Sequence, residues 1–374
     1  MPPLARRNLF HDKVRLTVTL TGIVFAVVLV IVQLGLFLGF TSATSGLIHN
    51  SAADFWIVGQ RVPYLERTVE FTERKLQQVR ATPGVAIADK YVADFARWKR
   101  SDGQEANIFL LGFNPGTGQG GPWNLVAGRV ADLDIPDAVI VDRIYQEKLG
   151  VTRIGQRVEI NGLRARVVGF TQGIRSFTTS PYVFTSFKNA QRFGGLRDDQ
   201  THYILVKATS GADLLQLQTA LRARLQDVDV HTTAEFARMT TVYWMFTTGA
   251  GVAVLIAALL GLVVGVVIVA QTIYATTMDH IREYGTLKAM GATNRYIYRV
   301  IIEQAVTSAV IGYVLALVVS FFVVRGSEGG GAAILLPWQL AAGMAVLTVL
   351  MCIGAAMVSI NKVTKIDPAM VFKQ

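Results

Sequence analysis

Hydrophobic positions are concentrated in four long runs separated by segments of ordinary polarity. The runs cover residues 17–40, 246–274, 301–324 and 337–360, and Glu303 is the only charged side chain in them. A helix that crosses a bilayer needs about 20 mostly apolar residues, and lipid offers no hydrogen-bond partner to an unpaired backbone group. The pattern therefore predicts a membrane protein with four transmembrane α-helices.

The connecting segments differ in their charge, and this difference predicts the orientation. Basic residues outnumber acidic ones in residues 1–16, 275–300 and 361–374, whereas the glycine-rich loop 325–336 has only Arg325 and Glu328. Because cytoplasmic loops carry the excess of Lys and Arg, both termini are expected in the cytoplasm and residues 41–245 outside it. The first run is longer than the apolar part of a secretory signal, which favours a span over a cleaved signal peptide.

The long segment 41–245 has the pattern of a water-exposed α+β domain. Short apolar and β-branched runs predict strands at residues 85–93, 108–113, 138–141, 157–160, 165–170, 203–207 and 227–231. Helical spacing predicts helices at residues 65–80, 213–225 and 233–245. The expected fold is therefore four transmembrane α-helices with a large extracytoplasmic α+β domain between the first and the second.

Composition supports this division and disfavours a nucleic-acid-binding protein. Charged residues make up 17% of the 374 residues, against about 25% in soluble domains, and the mean hydropathy is +0.41. The net charge of +10 is spread along the chain, so it does not indicate a nucleic-acid partner. The single cysteine, Cys352, cannot form a disulfide within the chain and is expected to be a small buried hydrophobe.

Catalytic signals are absent from the sequence. The five histidines are scattered, no HExxH or GxSxG motif occurs, and Asp198-Asp199 is explained by a solvated turn. The glycines at 150 and 155 are followed by Gln-Arg, so they do not form a phosphate-binding loop. We therefore expect no catalytic residue, metal or bound cofactor on this chain.

Residues 279–299, between the second and third runs, are too apolar for an ordinary solvated loop. Apolar side chains recur there at helical spacing, at Ile281, Tyr284, Leu287 and Met290, and Gly291 can end such a helix. The spacing predicts a short amphipathic helix at the inner membrane face. The residues alone leave two roles open, which are docking a cytoplasmic partner and resting on the lipid surface.

The residue sequence of this segment resembles that of a known protein family. Residues 282–292, Arg-Glu-Tyr-Gly-Thr-Leu-Lys-Ala-Met-Gly-Ala, resemble a segment of the FtsX-like ABC permeases, the group that includes MacB and the lipoprotein-release permeases. Residues 365–371 resemble the closing segment of that family, and residues 5–16 are similar to its DevC-like branch. The layout of one helix, a large outside domain and three more helices is similar over the whole chain.

The resemblance implies partners and a mechanism. Two permease chains would pair, each would bind a separate ABC ATPase subunit that holds the ATP, and a periplasmic adaptor protein would take part. The short cytoplasmic helix would be the coupling helix, and the family is thought to transmit motion across the membrane. The residues that would form the coupling helix are Ile281, Arg282, Glu283, Tyr284, Leu287, Lys288, Met290 and Gly291.

Inside the spans, one acid and two glycine pairs are candidate functional positions. Glu303 is an intramembrane acid, but it lies about one turn from the interface, where snorkelling or a helix N-terminus could satisfy it, so a structural role is favoured. The pairs Gly35–Gly39 and Gly261–Gly265 have the small-xxx-small spacing that lets helices approach closely. The hypothesis is that the first two spans pack together there and contribute to a homodimer.

Three functions remain as alternatives. The leading one is the permease subunit of an exporter in the inner membrane, for a lipid or other amphiphile. The second is a non-transport relay that activates an outside enzyme such as a cell-wall hydrolase. The third is a membrane receptor whose outside domain binds a ligand.

Overall fold

The computed structural model describes residues 13–178, 180–327 and 334–364. Two compact units form, an α+β domain from Phe40 to Gly251 and a helical unit from the rest of the described chain. The predicted basic N-terminal segment up to residue 12, the loop residues 328–333 and the tail residues 365–374 lie outside the described residues.

The described helices and strands are numbered along the chain. The helices are α1 Lys13–His49, α2 Lys75–Arg80, α3 Gln146–Leu149, α4 Phe187–Gly194, α5 Leu214–Arg224, α6 Thr233–Val242, α7 Ala250–Asp279, α8 Ile281–Ala289, α9 Asn294–Ser327 and α10 Trp338–Thr364. The strands are β1 Phe55–Gly59, β2 Phe71–Thr72, β3 Val85–Lys99, β4 Glu105–Phe113, β5 Leu125–Ala127, β6 Ala138–Asp142, β7 Arg157–Ile160, β8 Leu163–Thr171, β9 Tyr182–Ser186, β10 Gln200–Thr201, β11 Tyr203–Ala208 and β12 Val228–Thr232.

The helical unit is built from α1, α7, α9 and α10, which are long and apolar enough to cross a membrane. Their inner faces form one apolar core, in which Val30 of α1 and Ala309 of α9 are fully buried. Their outer faces keep large apolar side chains exposed, such as Val263 at 58% and Phe322 at 67%. Such a surface is stable in lipid, and in water it would be an aggregation hazard.

A sheet of ten described strands forms the frame of the α+β domain. Its order is β12-β1-β11-β3-β4-β9-β6-β8-β5, with β7 pairing both β3 and β8. The long strand β3 belongs to both halves, because Val85–Tyr91 pair with β11 and Val92–Lys99 pair with β4. The domain therefore consists of two lobes that share one strand.

Three apolar clusters cover the sheet. One cluster lies beneath α2 and α5 in the first lobe, and a second surrounds α4 in the second lobe. The third cluster spans both lobes on the opposite face and contains Trp56, Tyr203 and Phe236, whose rings lie 5.4 to 6.1 Å apart. These aromatic rings supply much of the area that the domain buries.

The predicted helix at residues 65–80 was wrong over most of its length. Only Lys75–Arg80 is helical, and Phe71–Thr72 instead forms a strand paired with Gln200–Thr201. The next amide, that of Glu73, donates to the carbonyl of Asp199 at 2.8 Å. These partners lie more than 100 residues away along the chain, so a local pattern could not reveal them.

Two strands, β1 and β9, were missed for a related reason. All five residues of β1 are buried, and four of the five in β9 are buried, so neither strand shows the alternation of a half-exposed strand. The predicted helix at residues 233–245 ends at Val242 and continues as a π-helical turn, Tyr243–Thr247. All seven predicted strands and the helix at 213–225 appear with ends shifted by at most three residues, except that β3 continues six residues beyond its predicted end, to Lys99.

Candidate functional site

The short helix α8 is the first candidate site, and its ends are defined by local hydrogen bonds. At its start, His280 Nδ1 lies 3.0 Å from Glu283 Oε1. At its end, Gly291 has a φ of +92°, and the amide of Ala292 donates to the carbonyl of Leu287 at 3.0 Å. A left-handed residue at this position favours glycine, so Gly291 ends the helix as its sequence pattern predicts.

A side-chain hydrogen bond, which we call the α8 latch, joins this helix to α9. The hydroxyl of Tyr284 donates to Gln304 Oε1 at 2.9 Å, and the side chain of Tyr284 is only 1% exposed. Burial raises the pKa of the Tyr284 hydroxyl, and the nearby charge of Glu283 adds to that effect. The phenol therefore stays protonated and remains a hydrogen-bond donor at physiological pH.

The four apolar side chains that recur along α8 at helical spacing, which we call the apolar stripe, lie in two different environments. Tyr284 belongs to the core of the helical unit, and Leu287 packs against that core. Met290, in contrast, is 71% exposed at the end of the helix, next to the exposed Gly291 and Thr293. The stripe as a whole is therefore not available to a partner, whereas its last member is. The side chain of Arg282 lies outside the described set, Glu283 is exposed, and Ile281 and Lys288 are half-buried.

Glu303 is held by a neighbour on its own helix. Arg299 Nε lies 3.0 Å from Glu303 Oε1, one turn away, and the arginine side chain is 71% exposed. The other carboxylate oxygen is buried and has no hydrogen-bond partner among the described residues. Because α9 begins at Asn294, Glu303 lies well inside the helix, so a helix N-terminus does not stabilise it. This structure favours an acid that is paired with an arginine on the same helix, and it is the exposed arginine that snorkels.

The candidate glycine pair of α7 lies where this helix meets α1. A Cβ atom at Gly261 would lie 3.0 Å from Gln33 Cγ, and one at Gly265 would lie 3.0 Å from Val30 Cγ2. Gly35 faces a different neighbour, because its Cβ would meet Ile334 Cγ2 at 2.7 Å, and Gly39 is buried. The first two spans therefore pack together through the glycines of α7, whereas Gly35 of α1 faces the segment that leads into α10.

Sequence reasoning missed further contacts between these spans. The hydroxyls of Thr19 and Thr276 lie 2.8 Å apart, and a Cβ at Gly22 would lie 2.7 Å from Thr272 Oγ1. Thr272 and Thr276 lie seven and eleven positions after Gly265 and continue the face of small residues on α7. That spacing was the signal in the sequence for these contacts.

A second candidate site lies in the α+β domain, around Glu66. Trp244 Nε1 donates to Glu66 Oε2 at 3.1 Å, and Trp244 also meets the rings of Tyr64 and Phe177 edge-on. Tyr64 in turn stacks on Tyr243 with ring centroids 3.9 Å apart. Burial raises the pKa of the Glu66 carboxyl to about 7, since no described cation pairs with it.

No signal in the sequence singled out Glu66, because Phe177 and Trp244 come from two segments that lie more than 100 residues away along the chain. The π-helical turn that carries Tyr243 and Trp244 is a rare element that often marks functional positions. Elsewhere in the described residues, no group of three His, Cys, Asp or Glu side chains could hold a metal ion. Cys352 is buried, as expected.

Comparisons with known proteins cover nearly the whole chain. Residues 16–224 match the MacB-like periplasmic core domain, and residues 255–368 match the FtsX-like permease C-terminal region. Two relatives are uncharacterized ABC transporter permeases, from Mycobacterium tuberculosis and Mycobacterium bovis. They are 25% identical over 378 residues and 24% identical over 373 residues, and both matches cover 98% of each chain.

Solved structures give weaker matches to the α+β domain. The periplasmic region of MacB from Actinobacillus actinomycetemcomitans covers 52% of this chain and 96% of its own, with 12% identity and a TM-score of 0.39. The extracellular domain of the transporter YknZ from Gram-positive bacteria covers 48% of this chain and 98% of its own, with 15% identity and a TM-score of 0.37.

Proposed function

Because the chain belongs to the family of ABC transporter permeases that combine a MacB-like periplasmic core domain with an FtsX-like C-terminal region, we propose that it couples ATP hydrolysis to motion of its α+β domain. ATP is bound and hydrolysed by a separate ABC ATPase subunit. The permease chain supplies the membrane helices, the docking helix and the outer domain, and it contributes no catalytic residue of its own.

The arrangement of α8 is the observation that carries this proposal. A helix that docks an ATPase must be exposed at one point and fixed to a membrane helix at another. Met290 provides the exposed point, at 71%, and the α8 latch between Tyr284 and Gln304 provides the fixed one. A push on Met290 would then reach α9 through packed side chains and one hydrogen bond.

Charge supports the orientation that this mechanism needs. The segment between α7 and α9 carries Arg282, Lys288, Arg295 and Arg299 against Asp279 and Glu283. By the positive-inside rule, α8 and both termini lie in the cytoplasm, and the α+β domain lies outside the inner membrane. The ATPase would then meet α8 on the side where ATP is available.

The assembly is proposed to contain two permease copies, two ATPase subunits and a periplasmic adaptor protein. The similarity of residues 5–16 to the DevC-like branch favours export of a lipid or another amphiphile. Few long polar side chains lie in the spans, chiefly Gln33, Gln271, Glu303, Gln304 and Gln339, so a transmitted motion is favoured over a hydrophilic channel. The alternative that remains is a relay that activates an outside enzyme such as a cell-wall hydrolase.

Replacing Met290 with Asp tests the docking role. The full-length permease would be purified in mild detergent with its ATPase, and both association and ATP hydrolysis would be measured. We expect association to fall at least about tenfold, because a carboxylate must be desolvated at an apolar contact. Since Met290 is exposed, the variant should keep the melting temperature of the wild type.

A matched control uses Leu215, which is 73% exposed in the α+β domain. The change Leu215→Asp introduces the same charge at an equally exposed apolar position and should leave the association unchanged. Unaltered ATPase binding by Met290→Asp would contradict the proposed docking surface.

The α8 latch is tested by a second variant, in which ATPase stimulation is measured separately from ATPase binding. Tyr284→Phe removes the hydroxyl that donates to Gln304 and keeps the ring that packs in the core. We expect the ATPase to remain bound while stimulation of its activity by the permease declines.

Proteins that copurify with the permease would separate the two alternative functions, since an adaptor indicates export and a hydrolase indicates a relay.

A further inference from the structure

A cleft of about 670 Å³ opens between the two lobes of the α+β domain. One wall comes from α2 and the middle of β3, and the other comes from the end of β4 and the junction of β9 with α4. Pockets that take small molecules span roughly 300 to 1,000 Å³, so this cleft has a suitable size.

The floor of the cleft is fixed by a buried carboxylate. Asp89 is 3% exposed and accepts hydrogen bonds from Thr117 Oγ1 at 2.6 Å, Asn114 Nδ2 at 3.0 Å and Arg80 Nη2 at 3.3 Å. Arg80 also donates to the carbonyl of Ala88 through two nitrogens. The charges of Asp89 and Arg80 are thus already satisfied, and they hold the floor rigid.

A second pair of charges in the cleft is also satisfied internally. Lys90 pairs with Glu73, and its ammonium lies 4.4 Å from the centroid of the Phe187 ring. The two residues come from the same lobe wall, whereas Phe187 begins α4 on the opposite wall. This contact joins the lobes without using the groups that face the open space.

Three polar side chains of the lining remain uncommitted. Lys188 and Asp134 are exposed and form no ion pair among the described residues, and the exposed Gln77 makes no described side-chain hydrogen bond. Lys188 is the second residue of α4. Ser186 precedes that helix, and its Oγ accepts a hydrogen bond from the amide of Asn189 and from no other described amide. The first amides of that helix therefore add to the attraction of Lys188 for an anion.

Apolar side chains lie among these polar groups. Pro115 and Pro136 line the cleft, together with the edges of Leu76 of α2 and Phe187 of α4, which are 7% and 8% exposed. A ligand that matches the lining therefore needs a negative group, a positive group and an apolar body between them. Inorganic phosphate or a simple metal ion would leave the apolar part and one of the two charges unused.

We propose that this cleft binds a short peptide with free termini, whose carboxylate meets Lys188 and the start of α4 and whose ammonium meets Asp134. The apolar side chains of the peptide would contact Pro115, Pro136 and the edges of Leu76 and Phe187. Because the ligand touches both lobes, its binding holds them in one relative position. This inference concerns the α+β domain alone and does not depend on the ATPase partner.

The probe is the tripeptide Ala-Leu-Ala, titrated into the full-length permease in mild detergent and measured by calorimetry. Two blocked forms, N-acetylated and C-amidated, and glycerophosphoethanolamine serve as further probes. We expect the free tripeptide to bind at least about tenfold more tightly than either blocked form, since each terminus meets one charge. Tighter binding of glycerophosphoethanolamine would assign the cleft to a lipid headgroup and overturn the peptide proposal.

Charge reversals locate the two ends of the ligand. Lys188→Glu should weaken the free tripeptide about tenfold and leave the C-amidated form unchanged, and Asp134→Lys should do the same relative to the N-acetylated form. Arg153→Glu, at an exposed position outside the cleft lining, is the matched control and should bind like the wild type. If the tripeptide does not bind, or if both reversals bind it normally while melting at the wild-type temperature, the proposal is wrong.

Discussion

The two units of this chain satisfy their polar side chains in different ways. In the helical unit, Thr272, Thr277 and Thr348 each donate to the carbonyl four residues earlier in the same helix. In the α+β domain, Asp142 accepts from four donors that lie as many as 32 residues away. Bonds within one helix thus serve these hydroxyls, and Tyr284–Gln304 and Thr19–Thr276 add bonds between helices, whereas Asp142 depends on donors that only the tertiary fold brings to it.

The solvent explains this difference. A transmembrane helix pairs its backbone groups within itself, so the helices associate through close packing of small residues. A domain in water gains stability from apolar burial, and every polar group that this burial traps needs a partner. Removal of a buried hydrogen-bond acceptor should therefore destabilise the α+β domain. Replacement of a small residue by a large one at a helix contact should destabilise the helical unit.

The largest effect is expected for Asp142→Ala. The change would leave four donors without their acceptor in a site that is 1% exposed, and it should destabilise the α+β domain by about 3 to 5 kcal/mol. Thermal melting followed by tryptophan fluorescence would measure the loss. Asp198→Ala, at an exposed position with no described ion pair, is the control and should change the melting temperature little.

The next effect concerns Glu66 and depends on pH. Because burial raises its pKa from 4.5 to about 7, the folded domain keeps a proton that the unfolded chain releases near pH 4.5. The free energy of unfolding should therefore fall as the pH rises from about 4.5 to above 7, by on the order of 2 to 3 kcal/mol.

Glu66→Gln should remove this part of the pH dependence, since an amide does not titrate and can still accept from Trp244. Melting temperatures at about pH 5 and pH 8 would be compared for the two proteins. Equal slopes with pH would show that the carboxyl of Glu66 is not protonated in the folded domain.

The smallest effect, about 1 to 3 kcal/mol, is expected for Gly265→Leu. A Cβ atom there would lie 3.0 Å from Val30 Cγ2 and 3.4 Å from the carbonyl oxygen of Ala26. A leucine side chain would therefore collide with α1, whose backbone carbonyl cannot move aside easily. Thermal stability of the full chain in detergent would report the change. Gly343→Leu is the control, because no atom lies within 4 Å of a Cβ at that position. An equal loss in both variants would reject specific packing of α7 against α1.

The stripe on α8 shows how far a periodic pattern can be interpreted. Spacing of Ile281, Tyr284, Leu287 and Met290 predicted an amphipathic helix and its end at Gly291. It did not show that Tyr284 would be buried and Met290 exposed, because a helical wheel gives one face and not what covers it. The cover comes from α9, through Gln304, 20 residues further along the chain.

The sequence by itself determined the four apolar helices, the α+β class of the intervening domain and the short helix after α7. Each of these follows from local composition and periodicity, since long apolar runs have one stable form in lipid. Only the tertiary structure decided the two-lobed sheet around β3, the surroundings of Glu66, the lining of the cleft and the partners of the glycines. Those features join residues far apart in the chain, and their free energy depends on contacts that no local pattern contains.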